Sequence, residues 1–363
     1  MQSVSVLPLH GGRAPKWLFP RMVKLSKLIS EVVIREYGES EFVSRLSNPY
    51  WFQALSCAIG YDWHSSGTTT VTMGALKEAL NNNSGIFIAG GKGKQGTSTP
   101  EQIMQGLKYF SMESKADEYV RMSRMSAKID SALVYDDIGI YHHTFVFSDK
   151  GDWCVVQQAM QNSTDNAIRF QIDSRKIDHS DMTKETNSAV GASSSSQTLD
   201  LTFNDNTCIK NDSIAAVNED INAILNFNAK VYRLPSRHEI LENVDLSKRA
   251  RDTLKYANEM QPEGYEELLS IKGLGRKTLK SLALISSLIY DKEVSYRDPV
   301  MYSYNVGGKD GIPYPINLSE YDDVIAKMSE VVKASEMNND ESAKALSRLS
   351  ADLARQYRLA DAK

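Results

Sequence analysis

Between Ile271 and Pro299 the chain reads IKGLGRKTLKSLALISSLIYDKEVSYRDP. Gly273 and Gly275 flank Leu274, and Lys272, Arg276, Lys277 and Lys280 crowd the same point. Glycine accepts a positive φ, so the pair permits a sharp reversal of the chain. It also leaves backbone N–H groups bare where the next helix begins. Bare N–H groups, the positive end of a helix dipole and side-chain cations together bind an anion. A phosphate of a DNA backbone is the natural ligand, and contacts of that kind position a protein without reading base sequence. The expected backbone ligands are Lys272, Gly273, Leu274, Gly275, Arg276 and Lys280.

Other stretches carry related chemistry. SGIFIAGGKGKQGTSTPEQI reads as a short strand, then a basic loop of Gly90, Gly91, Lys92, Gly93 and Lys94, then a helix that Pro100 opens and Ser98 or Thr99 caps. That is a phosphate cradle in outline, although it lacks the Walker A order. The stretch LPLHGGRAPKWLFPRM offers His10, Arg13, Lys16, Trp17 and Arg21 as a nucleic-acid or substrate surface. Asp62, Trp63 and His64 lie just before a Ser/Thr-rich run, SSGTTT. Each of these stretches has a plain reading as a surface loop. Asp136, Asp137, His142 and His143 would suit a metal-dependent nuclease. Neighbouring histidines on a strand face opposite ways, however, and do not easily share one metal. No metal and no cofactor is expected. Gln157 and Gln158 fall on a strand, where one of them must face inward and find partners.

The elements that hold these residues follow from periodicity. Helical spacing predicts helices over 20–36, from Asn48-Pro49, over 72–80, 115–132, 213–227, 237–242, 247–260, 265–271, 276–290, 319–335 and 341–357. IGIYHHTFVF, WCVVQQAM and AIRFQI alternate like strands, and TLDLTF adds a fourth beyond a flexible NSAVGASSSSQ segment. The expected fold is α+β and mainly helical. A small antiparallel sheet lies between helical segments, and a C-terminal helix-hairpin-helix domain follows. The expected division is a helical N-terminal region with Gly-rich basic loops at 1–130, a sheet region at 131–207 and a helical DNA-binding region at 208–363.

With 363 residues, 41% apolar and 24% charged, the composition is that of a globular protein, and the length suits two or three domains. The net charge of -4 excludes a generally basic nucleic-acid binder but leaves room for a local basic face. Cys57, Cys154 and Cys208 form no CxxC pair, which argues against a zinc ribbon or a four-cysteine iron–sulfur cluster. The longest apolar run, LALISSLIY, is too short to span a bilayer, and the start of the chain lacks a signal-peptide pattern. A cytoplasmic, nucleoid-associated protein is expected.

The Ile271–Pro299 stretch resembles the helix-hairpin-helix motif, with Gly273-Leu274-Gly275 as its hallmark. It is further similar to the DNA glycosylases that carry this motif. The resemblance implies that Lys277 is the Schiff-base lysine of the bifunctional members and that Asp298 is the catalytic aspartate. Such an enzyme flips its target base out of the duplex. A carboxylate then stabilises positive charge on the sugar, and a lysine amine attacks the sugar carbon. Arg276 and Lys280 would lower that amine's pKa. The stretch has a few more residues before Asp298 than the family pattern. The plain readings make Asp298 an N-cap ahead of Pro299 and Lys277 one more phosphate contact.

Across nearly its whole length the chain also resembles the prokaryotic proteins grouped as domain of unknown function 763. PLHGGRAPKWLFPRM, GYDWHSSGTTTVTMGALKEAL, GGKGK with TPEQI, and the later hairpin carry that resemblance. It brings no activity, but it implies that the loops and the hairpin form one functional unit. The expected function is DNA repair, as a base-excision glycosylase with AP-lyase activity where Lys277 is the nucleophile. The rivals are a non-catalytic DNA-binding scaffold and the metal-dependent nuclease. The expected partner is duplex DNA with a flipped base, and not a membrane.

Overall fold

The computed structural model describes residues 7–8, 16–61, 66–81, 84–134, 138–161, 166–184, 187–191, 201–202, 206–219, 221–226 and 247–289. Four helices come first: α1 (Phe19–Tyr37), α2 (Glu39–Leu46), α3 (Pro49–Ala58) and α4 (Gly67–Leu80). Met22 and Leu25 give α1 its buried face, and Gly38, at φ 85, ends it. Asn48 Oδ1 accepts from Trp51 N at 3.2 Å, the cap its sequence implies. α4 begins at Gly67 rather than Thr72. A threonine run is a poor helix former, but its hydroxyls find partners in the core. Thr72 Oγ1 donates to Ser56 Oγ at 3.0 Å, and Thr69 Oγ1 donates to Gln158 Oε1.

The sheet is antiparallel. It contains β1 (Leu7–Pro8), β2 (Ile86–Lys92), β3 (Ile138–Ser148), β4 (Trp153–Gln161), β5 (Asn166–Asp173) and β6 (Asn187–Gly191). The order is β1-β5-β4-β3-β2, with β6 also on β5. β1 meets Asn166 and Ala167, whereas β6 meets residues 169–172. Alternation gives each strand two faces. Ile86, Ile88, Val146, Cys154 and Val156 join the core of α1–α4. Ala89, Phe145, Phe147, Trp153, Val155 and Ile172 join a second core on the other side.

That second core takes in α6 (Thr99–Tyr109), α7 (Ala116–Ile129) and the C-terminal helices. Between β2 and α6 lies the short α5 (Lys94–Thr97). α7 ends in a π turn at Asp130–Val134. The C-terminal helices are α8 (Thr207–Asn218), α9 (Ile221–Asn226), α10 (Lys248–Met260), α11 (Tyr265–Ser270) and α12 (Arg276–Ile289). Ser247 Oγ caps α10 by accepting from Ala250 N at 3.2 Å. Leu254, Ala257, Leu268, Leu269, Leu274, Leu279, Leu282 and Ala283 are all buried in the second core.

Three further expectations change. Two helices, α8 and α9, stand where one was expected over 213–227. The strand after β5 is β6, inside the segment whose Ser/Gly content suggested a flexible linker. Pairing with β5 overrides that local composition. Leu201 and Thr202, from the expected TLDLTF strand, form a turn in which Leu201 N donates to Leu133 O at 3.0 Å. The helices expected over 237–242, 319–335 and 341–357 lie outside the described residues.

The structure is thus a mainly helical α+β fold, with a small antiparallel sheet covered by helices on both faces. No described helix is long and apolar enough to cross a membrane.

Candidate functional site: a basic cleft and a polar sheet end

α11 and α12 are joined by the turn 271–275. Gly273 has φ 103, and a Cβ there would sit 3.1 Å from Thr253 Oγ1 on α10. Both conditions favour glycine. Leu274 is buried and pins the turn to the core. Gly275 O accepts from Leu279 N at 3.0 Å, which starts α12. Lys128 Nζ on α7 donates to Ile271 O at 3.2 Å, and Arg121 pairs with Glu266. These contacts anchor the back of the hairpin to the second core.

The front of the turn is open. Lys272, Gly273 and Gly275 are exposed. Lys272 shares an open cleft of about 560 Å³ with Lys248, Arg249, Asp252, Thr253 and Tyr256 of α10. Three cations against one carboxylate make the cleft basic. Tyr256, 49% exposed, gives it an aromatic wall. The α10 residues were missed in the sequence. The basic run KRAR directly behind Ser247 was the available signal.

Arg276 is half-buried at the start of α12. Lys277 belongs to α12 by its backbone, but its side chain lies outside the described residues, as do Asp298 and Arg13. Lys280 is 1% exposed and so is absent from the cleft surface, contrary to its expected role. Helical spacing carries it one turn past Arg276, onto the side of α12 that packs inward beside Leu279 and Ala283.

Lys92 and Lys94 belong to a different surface, set by β2 and α5. Lys16 is exposed in the turn ahead of α1. The Gly90-Gly91-Lys92 segment is the end of β2, not a free loop. Neither expected cap of α6 forms: Ser98 Oγ donates to Lys94 O at 3.1 Å and Thr99 Oγ1 to Gly96 O at 2.7 Å. A four-residue helix directly ahead of α6 supplies nearer carbonyls for both hydroxyls.

At this end of the sheet, His142 pairs with Lys92 on one side and Gln158 on the other, and Gln158 pairs with Arg169. All four side chains share the face toward α1–α4. His143 points the opposite way. Its Nδ1 donates to Gln157 Oε1 at 2.7 Å, and its Nε2 accepts from Ser123 Oγ at 2.9 Å. Gln157 Nε2 donates to Ser126 O at 3.1 Å and to the Asp130 carboxylate. His143 is therefore a fully bonded core histidine. Both Gln157 and Gln158 are buried, where one was expected to be, because helices cover both faces of the sheet. Asp136, Asp137, Asp62, Trp63, His64 and His10 lie outside the described residues.

Burial, with His143, Lys92 and Lys77 nearby, pulls the His142 pKa down to about 3, and burial lowers His143 as well. An unfolded histidine titrates near ~6.5. Below that pH the unfolded chain takes up protons that the folded chain refuses, so stability falls as pH falls. His142 alone is expected to remove about 2 kcal/mol between pH ~6.5 and ~5. Urea midpoints at the two pH values check this. The drop should be shallower in His142→Leu, and an unchanged slope would contradict a buried neutral imidazole.

A family model described as "Protein of unknown function (DUF763)" matches residues 3–316, so the chain belongs to that family. Comparison with curated proteins and with solved structures returned no match. The matched span takes in both the polar sheet end and the hairpin.

Proposed function

We propose that this is a DNA-binding repair protein that holds a DNA backbone at the α11–α12 turn, with the turn acting as a helix-hairpin-helix. The observation that carries the reading is the convergence of Lys248, Arg249 and Lys272 on one open cleft beside the glycine turn. Cations around exposed backbone N–H groups suit phosphate oxygens. Tyr256 offers a face on which a sugar or an unstacked base can rest. The net charge of -4 fits a protein whose DNA contacts are confined to one basic surface.

Base excision is the chemistry proposed for this surface. Its support is the similarity of residues 271–299 to the DNA glycosylases that carry this hairpin, with Lys277 as nucleophile and Asp298 as stabiliser of the sugar cation. Borohydride trapping on duplexes with damaged bases or an abasic site tests it. Wild type is expected to form a covalent adduct that Lys277→Ala loses. Abasic product without an adduct would mean a monofunctional enzyme, with Asp298→Asn as the variant that abolishes it. Salt-sensitive binding with neither product would leave the hairpin as a backbone clamp and overturn the glycosylase reading.

A further inference from the structure

His142 is 1% exposed, and neither ring nitrogen has a hydrogen-bond partner. Its neighbours explain why. Gln158, directly across on β4, is bonded elsewhere: its Nε2 donates to Ser66 O at 2.7 Å and to Tyr141 Oη, and its Oε1 accepts from Thr69. Arg169, the next residue in the row, donates to Gln53 Oε1 and lies 4.6 Å over the Phe52 ring. An unsatisfied buried polar group costs about 1–3 kcal/mol, and native folds rarely keep one without a use. The neighbouring His143, bonded at both nitrogens, shows that this fold can satisfy a buried imidazole.

The same place has two cations that meet no carboxylate among the described residues. Lys77 is half-buried, and its Nζ donates to Gly90 O and Gln102 Oε1, both at 2.6 Å and both neutral. Lys92 is exposed at the end of the edge strand, with its Nζ 5.7 Å from the Tyr141 ring centroid. Neither lysine is in an ion pair among the described residues. Directly paired residues on antiparallel strands put their side chains side by side. A group held at Lys92 therefore meets His142 as its first inward neighbour.

We infer that the Lys92–His142 end of the sheet is a binding site for a phosphate dianion, free or at the end of a nucleic acid. Lys92 and Lys77 balance its two charges, and a His142 ring N–H donates to one oxygen. The site is separate from the α10–α12 cleft and does not depend on DNA binding there.

Thermal unfolding of the full chain tests the inference, with inorganic phosphate against chloride at matched ionic strength. For a dissociation constant of about 1 mM, ~10 mM phosphate raises Tm by roughly 2 °C. Lys92→Gln, a surface change that keeps the fold, should abolish the rise. His142→Leu should abolish it while leaving the unliganded protein as stable or more so, because an unsatisfied group has gone. Lys248→Gln with Lys272→Gln should keep it, which separates this site from the cleft. A 5′-phosphorylated oligonucleotide that binds more tightly than its unphosphorylated form, in a Lys92-dependent way, would make a nucleic-acid end the source. Equal binding of the two, with the phosphate effect intact, would make it a free phosphate. No rise in wild type, an equal rise with acetate, or a rise unchanged in both Lys92→Gln and His142→Leu would overturn the site.

Discussion

Gly90→Ala is expected to cost about 3 kcal/mol or more and to leave little folded protein, because a Cβ there has no room and the backbone rejects it. The added carbon would sit 2.2 Å from His143 O and 2.6 Å from Thr99 Oγ1. The first contact is with backbone of the paired strand and cannot move without opening the β2–β3 ladder. At φ 94, the backbone at Gly90 also strains any side chain. Gly93→Ala separates the two causes. It has φ 58 but nothing within 4 Å, so only conformational strain of about 1–2 kcal/mol is expected. Gly275→Ala, with open space and no positive φ, should stay within about 1 kcal/mol of wild type. Urea midpoints followed by circular dichroism give the order. Comparable losses for Gly90 and Gly93 would show that the strands separate readily at that point.

The largest functional effect is expected from neutralising the cleft. If the cleft holds DNA as proposed, Lys248→Gln, Arg249→Gln and Lys272→Gln together should weaken duplex binding by about 100-fold or more at low salt. They should also lower the steepness of log K against log salt by about 3, since each lost phosphate contact removes close to one released counterion. All three side chains are exposed, so the fold should survive. Fluorescence anisotropy on a labelled duplex across a salt series measures both quantities. A slope equal to that of wild type, or no binding by wild type, would overturn the proposed backbone clamp at this cleft. Lys280→Gln makes the contrast: its side chain is buried, so it should change stability and leave the salt slope alone.

Much of this fold was legible because short-range periodicity is enough to set an element. The alternation in IGIYHHTFVF and WCVVQQAM defines β3 and β4, and it alone turns His142 and His143 to opposite faces. The paired glycines around Leu274 define a reversal between two apolar helices, and the ends of α11 and α12 fall within a residue of expectation. Asn48 was readable as a cap ahead of Pro49.

What each side chain meets came only from contacts distant in sequence. Thr69 lies far from Gln158 along the chain, and their hydrogen bond helps to hold the start of α4 in a run that local propensity disfavours. Pairing with β5 turned a Ser-rich segment into β6. Lys280 looked like a surface cation until α12 packed and buried it. The cleft joins residues of α10 to Lys272 in the hairpin turn, so neither segment displays it alone. The two adjacent histidines make the sharpest case. The chain dictates that they diverge, but which one is left without a partner depends on Ser123 and Gln157 reaching His143 while Gln158 is taken up by Ser66, Thr69 and Tyr141. A strand's period is a property of the backbone, whereas the saturation of a buried hydrogen-bonding group is a property of everything packed around it.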